Sequence, residues 1–600
     1  MASIYLKNAL NGKSAATARE KQNRWKALDA HSRAPVKEHL LNAMRSPTPG
    51  IPKISAMATA EIAAVELPYQ QWPEFVPALM ENVTSQQMPE LVKLASLECL
   101  GFCAERITEV EEMIPEVPAL QVATVDSMLT TIVDGVQPVR SDKMRLAALN
   151  ALKNSLAFVK KNMDVKSERD FIFNAICEAT RCNDAAVRML AYQCLDNIAE
   201  LYYEKLPDYM TAIFELTTAS IGKDPDETVQ AAAMEFWNTL AIIEQQLMDE
   251  EAVALEDGQP LDRPACQQYV KAAMDSLVPL LLETLTKQNE DAESDEEDLQ
   301  SFGATCLESI SQTLEAAVVP AVIPFVQANI VSENWRLRDA GIVAFSCILE
   351  GPDTSVVGQY VSDSIPVLMN AFSDQSMNVR DSATHCVSKI CERHIQAIPM
   401  KEFNGVIHGL IAKLQEYPRV ANHACSAIFN IAKSTKRLNP EVTDQESNPL
   451  SAPMLPILQA LLAASDRADA IESNLRVTSF LAVAELISAS ARDVQHIFRD
   501  FLPVVVDRIE KGLQLQCVSN DDQEEKAQLL GLLAALVTVL FQRMDKKDVL
   551  PHVDRIMQLL LQMFQLPNAT CHEEAFMAVG AIASAMEEDF TVRSLFDKTN

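Results

Sequence analysis

The sequence predicts an all-α protein, a right-handed superhelical solenoid of repeated helix pairs, and three observations carry that expectation. Only 15 of the 600 residues are glycine, against roughly 7% in ordinary proteins, so the positive-φ turns that join strands are scarce and helices are favoured. The second observation is a repeated pattern. In RLAALNAL from Arg145, RMLAYQCL from Arg188 and RDSATHCV from Arg380, a polar anchor is followed by a small residue at +3 and an apolar one at +7. The same frame fits from Lys93, Gln230, Gln300, Arg338, Ala421 and Arg476, with Ala421 the one apolar anchor; position +10 is apolar in all of them but one, Ser155. Offsets of 3, 7 and 10 trace one stripe of an α-helix. The third observation is the period. Successive anchors lie 52, 43, 42, 70, 38, 42, 41 and 55 residues apart, and a spacing near 42 suits a helix–turn–helix repeat of the HEAT or armadillo type.

Each element follows from that frame. The small +3 residue lets a neighbouring helix approach and the larger +7 residue fills the interface, so each pair buries its stripe only against its neighbours. An apolar partner helix precedes each anchored one, as in IPVLMNAFSDQSMNVRDSA, where SDQSMN is the turn. Pro115, Pro279, Pro366 and Pro503 are expected near the start of such partners, where a fixed φ suits the first turn. One solenoid is expected over residues 1–600, with regular repeats over 91–490 and less regular ones over 491–600. Residues 1–90 read as incomplete repeats, because Ala2 to Asn11 looks like the second helix of a pair without its first. Neither end carries the polar face of a capping repeat. The 70-residue spacing holds an insertion in which seven of the nine residues from Glu290 to Asp298 are acidic.

The formal charge of −32 opposes nucleic-acid binding, which needs clustered Lys and Arg, and attracts basic partners at long range. The 13 cysteines lie in apolar helical contexts and are expected to be core thiols in a reducing compartment. Cys386 and Cys391 lack the His/Cys set of a metal site. The longest apolar run, LLGLLAALVTVLF, has 13 residues, short of the about 18 that a membrane span needs. The N-terminal stretch is basic and acid-poor up to Glu20, in the manner of a transit peptide, but it lacks a signal-peptide apolar core, so the cytosol is expected. No nucleotide-binding, hydrolase, metalloprotease or kinase motif occurs, and NATCHEEAF offers one Cys and one His without a partner set. No enzyme, metal or cofactor is expected. The chain reads as a binding surface.

Particular strings then carry a resemblance. QNRWKALDAHSR (Gln22 to Arg33), VELPYQQWPE (Val65 to Glu74), RLAALNALKNSLAFVKKNMDVKSERDFI (Arg145 to Ile172), ICEATRCND, LYYEKL, EFWNTL, LTKQNED, NWRLRDAGIVAFSCILEGPD (Asn334 to Asp353) and YPRVANHAC resemble, in order and spacing, strings of the importin-β (karyopherin-β) family of nuclear transport receptors. Relative to that family the chain lacks the first helix of the first repeat and the C-terminal repeats, so truncation at both ends is expected.

The resemblance implies a nuclear import receptor, a monomer without membrane insertion or nucleic acid, working in the cytoplasm and nucleus and at the nuclear pore and envelope. Its implied partners are Ran-GTP, an importin-α-type adaptor or basic cargo, and FG-repeat nucleoporins. Asp291, Glu293, Asp295, Glu296, Glu297 and Asp298 would form the acidic loop that meets the adaptor or Ran, and residues 1–90, with Trp25 and Trp72, the Ran-binding region. Leu129, Thr130, Val133, Glu168, Phe171 and Ile172 would hold a nucleoporin Phe between outer helices; Leu129 and Val133, and Glu168 and Ile172, are four apart and share a helical face. Trp237 and Trp335 would grip the adaptor on the inner face. Three positions depart from the family, with Glu297, His385 and Ser426 standing where Trp is usual, and NTLAIIEQQ replaces acidic residues after EFW. Aromatic and carboxylate groups hold a basic helix by cation–π contact and charge-assisted hydrogen bonds, so their loss weakens the adaptor expectation. The rival readings are a HEAT-repeat scaffold for a phosphatase or other assembly, and a receptor paralogue that has lost cargo binding.

Overall fold

The computed structural model describes residues 2–587 apart from 13, 49, 259–260, 262, 264, 289–297, 440, 442–444 and 568–570. Among the described residues every regular element is a helix. The chain divides into two compact units, Met1–Leu314 and Glu315–Asn600, and each is a stack of helical hairpins of the HEAT type. In the first unit Phe75–Thr84 pairs with Glu90–Met113, Val122–Val136 with Asp142–Ser155, Lys166–Ala179 with Ala185–Tyr202, Met210–Lys223 with Glu227–Asp257, and Tyr269–Thr284 with Leu299–Leu314. The second unit repeats the plan, for instance Thr354–Ala371 with Met377–Arg393 and Met400–Lys413 with Pro418–Leu438. The first helix of each hairpin is called A and the second B. Within a unit B helices pack on B helices and A on A, giving two rows.

The predicted stripe is the core. Every +3 and +7 residue of the nine frames is buried, from Ser96 and Leu100 to Ser479 and Val483. Gly341 shows why +3 must be small: a Cβ there would lie 2.9 Å from the backbone nitrogen of Ile330, at the end of its partner helix.

The polar anchors have a task of their own. Arg188 donates from Nε and Nη2 to the two carboxylate oxygens of Asp224, each at 2.7 Å, and from Nη1 to the carbonyls of Cys182 and Asn183. Arg338 does the same with Asp374, Ser332 and Glu333. Arg380 binds the carbonyls of Asp374 and Gln375 and faces Glu416. Each carboxylate lies 36 residues on, in the turn of the next hairpin. One guanidinium thus closes its own turn and ties it to the following repeat. Asp184, Asp226 and Asn334 cap the B helices that start at these turns, accepting from the backbone N–H of Val187, Thr228 and Arg336.

The proline expectation is corrected. Pro279, Pro366 and Pro503 lie inside the helices Tyr269–Thr284, Thr354–Ala371 and Gln495–Gln514, beyond the first turn, and Pro115 lies in the loop after Glu90–Met113. Each internal proline removes one backbone donor. The helix survives because its stability comes from packing on its partner more than from its own ladder.

Candidate binding faces

The two tryptophans of the expected Ran-binding region are interior. Trp25 is 6% exposed, and its indole N–H donates to Glu66 Oε1 at 3.0 Å. Glu66 is completely buried and accepts from Arg33 Nη1 and Lys37 Nζ, both at 2.7 Å. Lys37 Nζ also stands 4.7 Å from the centre of the Trp72 ring, which packs on Phe75. A buried carboxylate met by two cations and an indole is fully satisfied, and breaking it would strand a charge. Trp25 and Trp72 are therefore parts of a clasp joining Ala15–Lys26, Ala30–Ala43 and Ile51–Glu66.

Along the A row, Val122–Val136 and Lys166–Ala179 are neighbours, so the six residues expected to hold a Phe ring do come from adjacent helices. They do not form one open slot. Leu129, Val133 and Ile172 are buried, the last two completely, because the face they share turns toward each hairpin's own B helix. Thr130 and Phe171 reach solvent, and Glu168 stands at the rim. Asn162 Nδ2 donates to Glu168 and to Asp126, each at 2.7 Å, bridging the two helices. A hollow of about 320 Å³ with a mixed lining lies one hairpin earlier, between Phe75–Thr84 and Val122–Val136. Trp72, Pro73, Pro77 and Met80 make one wall and Thr124 and Ser127 the other. The run LPYQQWPEFVPALM was the available signal, since prolines at 73 and 77 flank the start of a helix beside an aromatic ring.

On the B row, Trp237 is also corrected. It is completely buried, its indole N–H donates to Thr217 Oγ1 at 2.9 Å, and the rings of Phe214 and Phe236 stand edge-on to it. It occupies +7 of the Gln230 frame, the interface-filling position of every repeat. Trp335 is half-buried at the first position of Trp335–Cys347, with the Arg336 guanidinium 4.9 Å from its ring centre. Of the acidic loop, Asp291, Glu293, Asp295, Glu296 and Glu297 lie outside the described residues. Asp298 caps Leu299–Leu314: its Oδ1 accepts from the N–H and the hydroxyl of Ser301, both at 2.9 Å.

Sequence reasoning missed the edge of the B helices, five to eight residues past the anchor. In the first unit Glu98, Asp196 and Glu235 stand there, with Glu105 and Glu200 one turn further on. Burial pushes the carboxyl groups of Glu98, Glu105 and Asp196 above the ordinary range; Glu109 adds to the push on Glu105, and Glu235 and Glu200 to that on Asp196. Crowded, partly desolvated carboxylates are relieved by a cation from outside. In the second unit the same offsets carry His385, Ser388, Ser426, Phe429 and Leu481, which line a hollow of about 500 Å³ across Met377–Arg393, Pro418–Leu438 and Leu475–Ser488.

Two rows of helices, one with an acidic edge and one with a hollow beside an aromatic ring, define a helical-repeat binding protein. The model for "Importin subunit beta-1-like, TPR repeats" matches residues 405–593, and that for the HEAT repeat matches 365–394. The chain is 33% identical to importin subunit beta-1 of Arabidopsis thaliana over 98% of its own length and 67% of that protein's. The solved Kap95:Nup1 complex matches with a TM-score of 0.85 at 28% identity, over 99% of this chain and 67% of that one. A structure in which Kap95p, yeast importin-β, switches the loops of RanGDP to the GTP-bound conformation matches with a TM-score of 0.82 at 28% identity, over 98% and 66%. The chain belongs to the importin subunit beta-1 family of nuclear transport receptors.

Proposed function

We propose that the chain is an import receptor that holds a basic cargo, or a basic adaptor of the importin-α type, on its B row. It crosses the nuclear pore through A-row contacts with FG-repeat nucleoporins and gives up its load to Ran-GTP. The acidic B-row edge of the first unit carries this reading, because burial holds the carboxyl groups of Glu98, Glu105 and Asp196 above their ordinary range and Glu235 and Glu200 crowd Asp196. A net charge of −32 draws such a partner in. The segment 290–298 adds to that attraction for Ran or the adaptor. The hollow beside Trp72 and the exposed ring of Phe171 suit a nucleoporin Phe, and Nup1 and RanGDP are partners of the related Kap95. The receptor works as a single chain, in the cytoplasm and nucleus and at the nuclear envelope.

A second reading, a receptor paralogue without adaptor binding, draws on the neutral edge of the second unit and on the burial of Trp237. One experiment separates the readings. The chain is passed over beads bearing FG repeats and over beads bearing a Lys/Arg-rich adaptor segment, and Ran-GTP is then added. Retention on both, with elution from the adaptor by Ran-GTP, is the expected result. Retention on FG beads alone favours the paralogue, and retention on neither leaves only the scaffold.

A further inference from the structure

The net charge of −32 is not spread evenly, and one part of the second unit's B row is basic. It lies at the C-terminal ends of two neighbouring helices, Met377–Arg393 and Pro418–Leu438. Lys433, Lys436 and Arg437 stand at i, i+3 and i+4 of the later helix and share a face. All three are exposed, as is Arg393 at the end of the earlier one. Arg437 Nη2 donates to the carbonyl of Glu392 at 3.4 Å, which brings it beside Arg393. Lys436 Nζ donates to the hydroxyl of Ser488, on the next B helix, at 2.8 Å. Lys433 Nζ is 5.8 Å from the centre of the Phe429 ring. The carboxylates nearby are Glu350, shared by Lys389 at 3.3 Å and Arg393 at 3.0 Å, the exposed Glu392, and Glu485 one turn before Ser488.

A helix C-terminus favours cations in its last turn, and Arg393, Lys436 and Arg437 serve those ends. The contacts of Lys433, Lys436 and Arg437 are, however, a ring, a hydroxyl and a carbonyl. Among the described residues none of the three is paired with a carboxylate, so one helix face carries three uncompensated positive charges. A Lys/Arg-rich partner would be repelled here. A carboxylate-rich one would be held, because a Debye length of about 8 Å at physiological salt lets the local sign prevail over distant acidic surface. A nucleic acid has the right sign, but its long phosphate backbone would run off this short patch onto a surface that is negative in sum. We propose that the basic end of this B row is a docking surface for a short Asp/Glu-rich segment of a partner protein. Its ligand is opposite in charge to that of the acidic edge, so the proposal does not rest on cargo, FG or Ran binding.

Fluorescence anisotropy on the full chain at physiological salt tests it. The probes are a labelled peptide of alternating Glu and Ser, its Lys and Ser counterpart, and a single-stranded oligonucleotide of equal charge as competitor. The Glu peptide should bind, and Lys433→Gln,Lys436→Gln,Arg437→Gln should weaken it about tenfold or more, since each exposed pair contributes up to a few-fold. The Lys peptide should lose nothing. Lys401→Gln,Lys511→Gln,Lys547→Gln removes the same charge from exposed positions elsewhere in the unit and should leave Glu-peptide affinity within about twofold. No binding of the Glu peptide, equal losses in the two triple variants, weakening of both peptides alike, or an oligonucleotide that binds as tightly as the Glu peptide overturns the proposal.

Discussion

Replacing Arg188 by Met keeps the length and the apolar stem of the side chain and removes the guanidinium that joins two repeats. Four hydrogen bonds go with it, two to Asp224 and one each to the carbonyls of Cys182 and Asn183. The side chains of Arg188 and Asp224 are 11% and 8% exposed, so water reaches the stranded carboxylate poorly. Breaking a buried pair by removing one member costs about 3–5 kcal/mol, whereas removing both strands no charge. Arg188→Met should therefore lose about that much, and its combination with Asp224→Ala should lose less than the sum, with a coupling of about 1–3 kcal/mol. A global melt is a poor measure, because stability in a repeat array is held locally between neighbours. Hydrogen exchange reads the interface directly. Amides of Ala185–Tyr202 and Glu227–Asp257 should exchange about a hundredfold to a few thousandfold faster in Arg188→Met, since each 1.4 kcal/mol is tenfold, while Leu475–Ser488 is unaffected. Strict additivity of the two substitutions, or an acceleration spread evenly along the chain, refutes the view that the anchors are inter-repeat ties.

Three further outcomes are expected. Thr124→Arg puts a charge into the wall facing Trp72 and should cut retention on FG beads severalfold with helicity intact, whereas Val133→Asp, at a completely buried site, should lose retention and circular-dichroism signal together. Asp196→Asn combined with Glu235→Gln should slow association with a Lys/Arg-rich peptide most at low salt, and should raise stability slightly because it removes a carboxyl held above its ordinary range by burial. The imidazoles of His385 and His423 are pushed down, chiefly by burial, to about 3 and about 4 from 6.5. Their contribution is complete above about pH 6.5 and is lost as pH falls toward those values, by at most about 1.4 kcal/mol per pH unit for each proton. Chemical denaturation of His385→Gln,His423→Gln between pH 7 and 5 should show a shallower decline than the parent.

The stripe was legible because a buried helix face must recur at +3, +7 and +10, whatever the repeat binds. The same frame held enough to place Trp237, which stands at +7 like Leu195 and Val387. Aromatic identity drew it toward a binding role, although its offset put it in the core. The anchors were visible as polar residues, but their carboxylate partners lie 36 residues away, a distance at which local periodicity says nothing. The Trp25 indole and Glu66 are 41 residues apart and were beyond reach for the same reason. At the A row the failure was one of direction. Leu129 and Val133 do share a face, but a spacing of four cannot tell whether that face meets solvent or the hairpin's own partner.

The carboxylates along the B row of the first unit weigh against its folding. The carboxyl groups of Glu98, Glu105 and Asp196 are shifted upward, so the folded chain prefers them protonated. Stability falls as pH rises from the unfolded carboxyl range through the folded one, and it stays reduced at neutral pH. A surface selected only for packing would carry amides or hydroxyls there, and the second unit does so at the same offsets with Ser388 and Ser426 and an uncharged His385. Charge that opposes folding and gathers along this edge fits a site better than a scaffold. A bound cation restores what ionisation took away. It also finds carboxylates that have already shed part of their water, so less desolvation remains to be done on contact. The edge is therefore prepared for a basic partner before one arrives, and it is prepared in the half of the chain where the acidic segment 290–298 also lies.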